Sequence, residues 1–119
     1  DPVRIIAIHK DMTYEYCEID EDMQIAQLIY KYGDTNISYR MSASYYEELS
    51  GTDLEDDITD KYNFKEGKLK AEITEYELPE SKKKRYSAIF EYQGVYYQLL
   101  GSIEKTDFEE ILKKLHFPS

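Results

Sequence analysis

The stretch RYSAIFEYQGVYYQLLGSIEKTDFEEILKKLHF, residues 85–117, carries two hydrophobic periodicities in succession. In its first half, apolar residues recur at every second position on both sides of Gln93 and Gly94, which is typical of two antiparallel strands joined by a turn. In its second half, four apolar residues recur at helical spacing and form one stripe: Phe108, Ile111, Leu112 and Leu115. The stretch therefore predicts a hairpin followed by an amphipathic helix.

Sequence signals also mark both ends of this helix. Thr106 followed by Glu109 matches a capping box, in which two side chains satisfy backbone N–H groups of the first turn. Lys113 and Lys114 stand near the C-terminal end, where the helix dipole favours cations, and Pro118 cannot continue a helix. We therefore expect the helix to begin with a capping box at Thr106 and to end before Pro118.

The two-residue periodicity of strands recurs upstream of this stretch. It predicts strands over residues 3–9, 14–19, 24–32, 37–43 and 68–78. The short link at Gly33-Asp34 marks the clearest hairpin. In the second of these strands, Tyr14 and Tyr16 are expected on one face, and Cys17 and Ile19 on the other.

Residues 45–67 carry the weakest pattern in the chain. Residues 45–49 are compatible with one helical turn, and the strongly acidic residues 52–60 are predicted to form an exposed loop. Strands followed by one helix, with no strand–helix alternation, indicate the α+β class. We expect a curved antiparallel β-sheet of about six to eight strands with a C-terminal amphipathic helix packed on it, in a single domain over residues 1–119.

The charge of the chain restricts its partners. There are 25 acidic and 15 basic residues, which gives a net charge of −10 at pH 7. Such a surface repels nucleic-acid phosphates and anionic membranes, so we predict neither as a direct partner. The acidity itself has two interpretations, either simple solubility or a DNA mimic that inhibits a basic partner.

No residue pattern points to catalysis or to a cofactor. The single cysteine, Cys17, cannot form an intrachain disulfide, and its strand-like surroundings predict a buried, unreactive thiol. His9 and His116 are far apart in the sequence, and no phosphate-binding loop or nucleophile motif accompanies them. The acidic clusters lack the spacing of calcium loops. We therefore predict no catalytic residue, no metal and no cofactor.

Thirteen tyrosines and no tryptophan make up most of the aromatic content. Tyrosines at alternating strand positions stabilise sheets through cross-strand pairs, which explains most of them. A ligand surface is the alternative, because tyrosine combines apolar area with a polar tip. Tyr45 and Tyr46, beside the acidic segment, and Tyr96, on the strand face opposite Tyr97, are the candidate binding residues.

Two stretches of the chain resemble one bacterial family. The first stretch runs from Glu91 to Phe117 and reads EYQGVYYQLLGSIEKTDFEEILKKLHF. It resembles the C-terminal end of domain-of-unknown-function family 4367, which consists of a strand, a glycine turn, a Tyr-x-Leu strand and a closing helix. The run YKYGDTNISYRM, from Tyr30 to Met41, is similar to the central hairpin of that family. The likeness extends from about Tyr14 to Phe117. At residues 10–12 the chain departs from the Pro-x-Gly turn that is frequent in the family.

The resemblance implies a location and a role. Domains of this family typically form the C-terminal, extracytoplasmic part of a membrane-anchored protein, some members look like anti-sigma factors, and no enzymatic activity is attached to them. Our leading hypothesis is a non-enzymatic binding, sensor or regulatory domain that contacts an unknown protein or small ligand. The chain begins Asp1-Pro2-Val3 without methionine. We therefore expect a longer polypeptide, in which an N-terminal anchor or signal peptide is the only membrane contact. A cytosolic acidic inhibitor or DNA mimic is the alternative, and a small hydrolase is third.

Overall fold

A computed structural model describes residues 2–5, 10–22, 24–43 and 57–118. The strands that these residues form are β1 (Arg4–Ile5), β2 (Met12–Asp20), β3 (Ile25–Tyr32), β4 (Thr35–Ser42), β5 (Asp57–Glu66), β6 (Leu69–Glu77), β7 (Lys84–Tyr92), β8 (Val95–Gly101) and β9 (Leu115–His116). One α-helix, α1 (Lys105–Lys113), lies between β8 and β9 in the described part of the chain.

Seven strands form one antiparallel sheet in the order β2-β3-β4-β8-β7-β6-β5. The sheet consists of two meanders, β2 to β4 and β5 to β8, which are joined where β4 pairs with β8. The short strands β1 and β9 pair with each other in a separate two-stranded sheet. The predicted α+β class, with an antiparallel sheet and a C-terminal helix, is thereby confirmed.

The hydrophobic core lies between the sheet and α1. Residues paired across antiparallel strands share a face, and the row Leu28, Tyr39, Leu99, Ala88 and Ile73 crosses five strands on the helix side. The predicted stripe of α1 packs on that face, since Phe108, Ile111 and Leu112 are buried. The rings of Phe108 and Tyr86 lie 5.5 Å apart. The alternating apolar residues of the strands and the apolar stripe of α1 therefore pack together in one core.

Two tyrosine hydroxyls attach α1 to opposite halves of the sheet. The Tyr32 hydroxyl, on β3, donates to Asp107 Oδ2 at 2.6 Å. The Tyr62 hydroxyl, on β5, donates to Glu109 Oε2 at 2.7 Å. The helix therefore bridges the two meanders through charge-assisted hydrogen bonds as well as through apolar contacts.

A second pair of tyrosines holds the N-terminal segment in the core. Val3 is fully buried, and its backbone N–H donates to Tyr97 Oη at 3.1 Å. The Tyr39 hydroxyl donates to the Val3 carbonyl oxygen at 2.9 Å. The rings of Tyr39 and Tyr97 stack with centroids 5.9 Å apart. Both polar groups of this buried backbone unit therefore have partners, as burial requires.

The predicted capping box is wrong. Helix α1 begins at Lys105, two residues after Ile103, and its N-cap residue, Glu104, makes no side-chain cap hydrogen bond. Thr106 therefore lies within the first turn, where its hydroxyl is not the cap. The Glu109 carboxylate accepts the Tyr62 hydroxyl. The Glu109 side chain thus makes a tertiary hydrogen bond, whereas the capping box predicted a hydrogen bond with the backbone of the first turn.

Strand β5 includes residues 57–60 of the predicted acidic loop, and residues 52–56 lie outside the described residues. Asp57–Glu66 pairs with β6 along its length. Most of its side chains are exposed, and only Tyr62 and Phe64 are partly buried against the core. A strand at the border of a sheet with so few buried positions leaves little apolar alternation to detect. The helical turn predicted for residues 45–49 lies outside the described residues.

A β-bulge changes the faces predicted for β2. Tyr14 pairs with Tyr30, but Tyr16 pairs with Ile29, so the two tyrosines lie on opposite faces of the sheet. A second irregularity interrupts β5 between Ile58 and Asp60. The Cys17 thiol is exposed, and the prediction that it is buried is wrong. Alternation along a border strand therefore predicts shared faces only up to a bulge, and it does not show whether another element covers a face.

Truncating the centre of the helix stripe should destabilise the domain. Leu112 is fully buried, so Leu112→Ala is expected to lower the free energy of unfolding by about 2–5 kcal/mol in urea denaturation. The matched control is Lys113→Ala, the next residue along the helix, whose side chain is exposed. A loss below about 0.5 kcal/mol for Leu112→Ala would show that α1 contributes little to the core.

The tyrosine contacts of α1 should weaken at alkaline pH. Burial, followed by the hydrogen bond to Asp107, raises the pKa of Tyr32 from 10.0 to about 12. A raised pKa in the folded state means that its contribution is complete below pH 10 and is lost as pH rises through 12. Urea unfolding from pH 8 to pH 12 should therefore show a smaller alkaline loss for Tyr32→Phe than for the native protein. Equal losses would contradict this linkage.

Candidate functional site

The sheet face opposite α1, here called the helix-free face, is crossed by a row of mostly polar side chains. Among the described residues, the one helix packs on the other face of the sheet. Strand register aligns one residue from each strand in the order Glu18, Gln27, Arg40, Gln98, Ile89, Glu72 and Asn63. Because such residues are neighbours on one face, their side chains can interact across the whole sheet.

Hydrogen bonds connect the centre of this row. Arg40 Nε donates to Gln27 Oε1 at 2.7 Å, and Arg40 Nη1 donates to Gln98 Oε1 at 3.4 Å. Gln98 is 1% exposed, and its Nε2 donates to Ser87 Oγ at 2.9 Å. At the outer end, Gln27 Nε2 donates to Glu18 Oε2 at 3.4 Å. The amide side chains therefore fix the orientation of the arginine.

Arg40 is a partly buried cation held by neutral partners. Burial lowers the pKa of its guanidinium below the usual value. Among the described residues, no carboxylate lies within ion-pair distance of it. Proteins usually pair a desolvated charge with an opposite charge. The missing counter-charge makes the surroundings of Arg40 a candidate site.

The pairing of β6 with β7 stops before either strand ends. The last paired residues are Glu72 and Ile89, although β6 begins at Leu69 and β7 continues to Tyr92. A cleft of about 320 Å³ lies at this opening, and we call it the split cleft. Over this length the backbone edges of β6 and β7 face each other without a mutual ladder.

The lining of the split cleft combines an apolar floor with a charged rim. Ala71, Ile89 and Phe90 contribute to the lining, and Tyr96 stands beside them. The polar and charged lining residues are Asn63, Lys65, Lys70, Glu72 and Glu91. A volume of roughly 300–1,000 Å³, an apolar floor and a few polar groups are typical of small-ligand sites. The split cleft thus has the composition of a binding site.

A second cleft, of about 530 Å³, lies on the helix-free face where β4 begins and β8 ends. We call it the arginine cleft because Arg40 and Arg85 both line it. Hydroxyl and amide groups of Asn36, Ser38 and Ser102 line it as well. Its polar lining and its cations distinguish it from the split cleft.

The structure separates the three predicted binding tyrosines. Tyr96 lies on the helix-free face, as its place opposite Tyr97 predicted, and it lines the split cleft. Tyr45 and Tyr46 lie outside the described residues. The sequence reasoning missed Arg40, Gln27 and Gln98, which occupy the polar phase of their strands. Their position in the alternation was visible, but their mutual hydrogen bonds depend on a register between distant strands.

Neither a metal-binding cluster nor a helix able to cross a membrane occurs among the described residues. In the described ranges, no group of three or more His, Cys, Asp or Glu residues is arranged to hold a metal ion. None of the helical segments described is long and apolar enough to cross a membrane. The candidate site rests on the split cleft and the arginine cleft because their linings bring polar groups together with apolar ones.

Comparison with known proteins identifies one family. The model of a domain of unknown function, DUF4367, matches residues 2–115. All the described residues that line the two clefts lie within that match. No curated protein and no solved structure matches the chain.

Removing the central amide of the polar row should be costly. Gln98→Leu leaves the Ser87 hydroxyl and the Arg40 guanidinium without one partner each, so we expect a loss of about 1–3 kcal/mol of unfolding free energy. Asn63→Leu, at the exposed end of the same row, is the matched control and should change stability by less than about 0.5 kcal/mol. Equal effects in the two urea titrations would show that the row is not a connected network.

Proposed function

The chain belongs to the DUF4367 family, and from that premise we propose that it is a non-enzymatic binding domain of an extracytoplasmic sensor or regulatory protein. The split cleft is the observation that carries this proposal. In the proposed role, the ligand is an unknown protein segment or small molecule that contacts Tyr96 and the floor of the cleft. A regulatory output requires the ligand to favour one conformation over another.

The chemistry of the split cleft supports binding. A ligand that covers the apolar floor removes it from water, and this burial favours binding by about 25 cal/mol per Å² of apolar area. The neighbouring backbone edges of β6 and β7 supply directional donors and acceptors, which orient a ligand. Acid–base catalysis needs a donor and an acceptor placed within hydrogen-bond distance of a reacting group. The Lys and Glu residues that line the cleft are better suited to attracting charged groups of a ligand at the rim than to acid–base catalysis.

The extracytoplasmic location rests on two supports. One is the resemblance of the chain to a family whose domains stand on the outer side of bacterial membranes. The other is the net charge of −10, which is compatible with this placement because it disfavours direct adsorption of the domain to anionic headgroups. The protein would then present its clefts to molecules outside the cytoplasm.

Charge placement on the helix-free face favours a binding domain over a DNA mimic. A mimic needs carboxylates arrayed like phosphates along one surface. The seven-residue row has carboxylates at Glu18 and Glu72 but a cation, Arg40, between them. This mixture of signs suits a ligand with its own polar groups.

The split-cleft proposal is tested by fragment binding. A library of small aromatic and aliphatic fragments is titrated into ¹⁵N-labelled protein, and amide chemical shifts are followed by NMR. We expect saturable shifts at the amides of Ile89, Phe90 and Tyr96, and at least tenfold weaker binding to Tyr96→Ala. Tyr16→Ala removes an exposed tyrosine of β2 that does not line the cleft, and this variant should bind as the native protein does. Fragments that bind elsewhere would reject the cleft.

The location is tested on the complete polypeptide in intact bacteria. An external protease should degrade this domain in intact cells or spheroplasts while a cytoplasmic marker survives. Cleavage only after lysis would reject the extracytoplasmic placement and favour the cytosolic inhibitor. Neither result depends on whether the split cleft binds a ligand.

A further inference from the structure

The arginine cleft contains a cation whose orientation is fixed before any ligand is present. Arg40 Nε and Nη1 are both engaged by glutamine carbonyl oxygens from the two neighbouring strands. These contacts hold the plane of the guanidinium on the helix-free face. The Nη2 amino group makes no hydrogen bond with the described residues.

An arginine held in this way has hydrogen-bond partners but no negative charge to balance its own. Its planar guanidinium matches the two oxygens of a carboxylate, which it binds by parallel N–H···O hydrogen bonds. Leaving a partly buried charge without a counter-charge costs free energy, whereas an incoming anion recovers it. The two glutamines have already restricted the rotamers of the side chain, so less entropy is lost when a ligand binds.

The rest of the cleft supplies neutral donors around this cation. Ser38 lies two residues before Arg40 on the same face of β4, and the Ser102 and Asn36 side chains also line the cleft. Arg85 contributes a second cation, and Asp34 is the one carboxylate among the described lining residues. Leu100 provides an apolar contact at the floor. This set can satisfy both oxygens of a small anion and pack against a short apolar group beside it.

We propose that the arginine cleft binds the carboxylate group of a ligand, with Arg40 as its principal contact. A monoanion is favoured over a phosphate dianion because the protein carries a net charge of −10, which opposes a second negative charge. The carboxylate belongs either to a small organic acid or to the C-terminus of a peptide. This site is distinct from the split cleft and does not depend on the function proposed for it.

The test begins with the native protein and sodium acetate. Amide shifts of Ser38, Leu100 and Ser102, together with the Arg40 Nε resonance, are followed in ¹⁵N NMR at constant ionic strength set with sodium chloride. We expect saturable shifts at these positions. Shifts that rise linearly without saturation, or that map to another surface, overturn the proposal.

Three further probes identify the ligand class. The peptide acetyl-Ala-Leu with a free carboxylate should bind and its C-terminal amide should not. Tighter binding of the acid peptide than of acetate assigns the site to peptide termini, and equal binding assigns it to small organic acids. Inorganic phosphate at pH 8 should bind more weakly than acetate, and the reverse order overturns the carboxylate assignment.

Variants separate this site from general electrostatics. Arg40→Lys keeps the charge but loses the planar pair of donors, so acetate binding should weaken about tenfold or more. Arg4→Lys makes the same exchange at an exposed position of β1 and should leave binding unchanged. If Arg40→Lys does not fold, Ser38→Ala gives the second arm and should weaken binding several-fold. Tyr96→Ala should have no effect on acetate, which distinguishes failure here from failure at the split cleft.

Discussion

The pairing of β4 with β8 is the constraint on which the rest of the structure depends. It joins two meanders that are otherwise built from strands adjacent in sequence. It also places Gly101 against Ile37, where a side chain is hard to accommodate because an added Cβ would lie 3.1 Å from Ile37 Cγ1. On the helix side, the same pairing aligns Tyr39 with Leu99 in the core. On the other side, it aligns Arg40 with Gln98, so core and polar row share one register.

Sequence patterns predicted the parts of the fold that residues adjacent in sequence determine. The alternation around Gly33 and Gly94 placed two hairpins, and the stripe of α1 identified the residues that are buried against the sheet. Border strands were harder, because their residues are exposed and their packing is one-sided. Thus the first four residues of β5 were predicted as part of a loop, and Cys17 was predicted to be buried. The capping box failed because the helix begins before Thr106, and the Glu109 carboxylate accepts the hydroxyl of Tyr62, which is remote in sequence.

The candidate site was less predictable than the fold. Tyr96 could be assigned to the helix-free face from alternation alone, and the structure adds that it lines a cleft. The cleft itself exists because the β6–β7 ladder ends at Glu72 and Ile89, and nothing in a single sequence marks where a ladder stops. Likewise, Arg40 is a candidate binding residue because two glutamines on neighbouring strands fix its orientation. Sites made by long-range register remain hidden until the strand order is known.

The two bulges have a consequence for how this sheet meets other chains. The outermost strands of the described seven, β2 and β5, each carry one, at Tyr14 to Tyr16 and at Ile58 to Asp60. A bulge breaks the regular spacing of outward N–H and C=O groups that a foreign strand would need for continuous hydrogen bonding. Fibril-like stacking of sheets side by side is therefore obstructed at both borders. Strand addition is thus disfavoured at these two borders, and contact with a face of the sheet would depend on side chains instead.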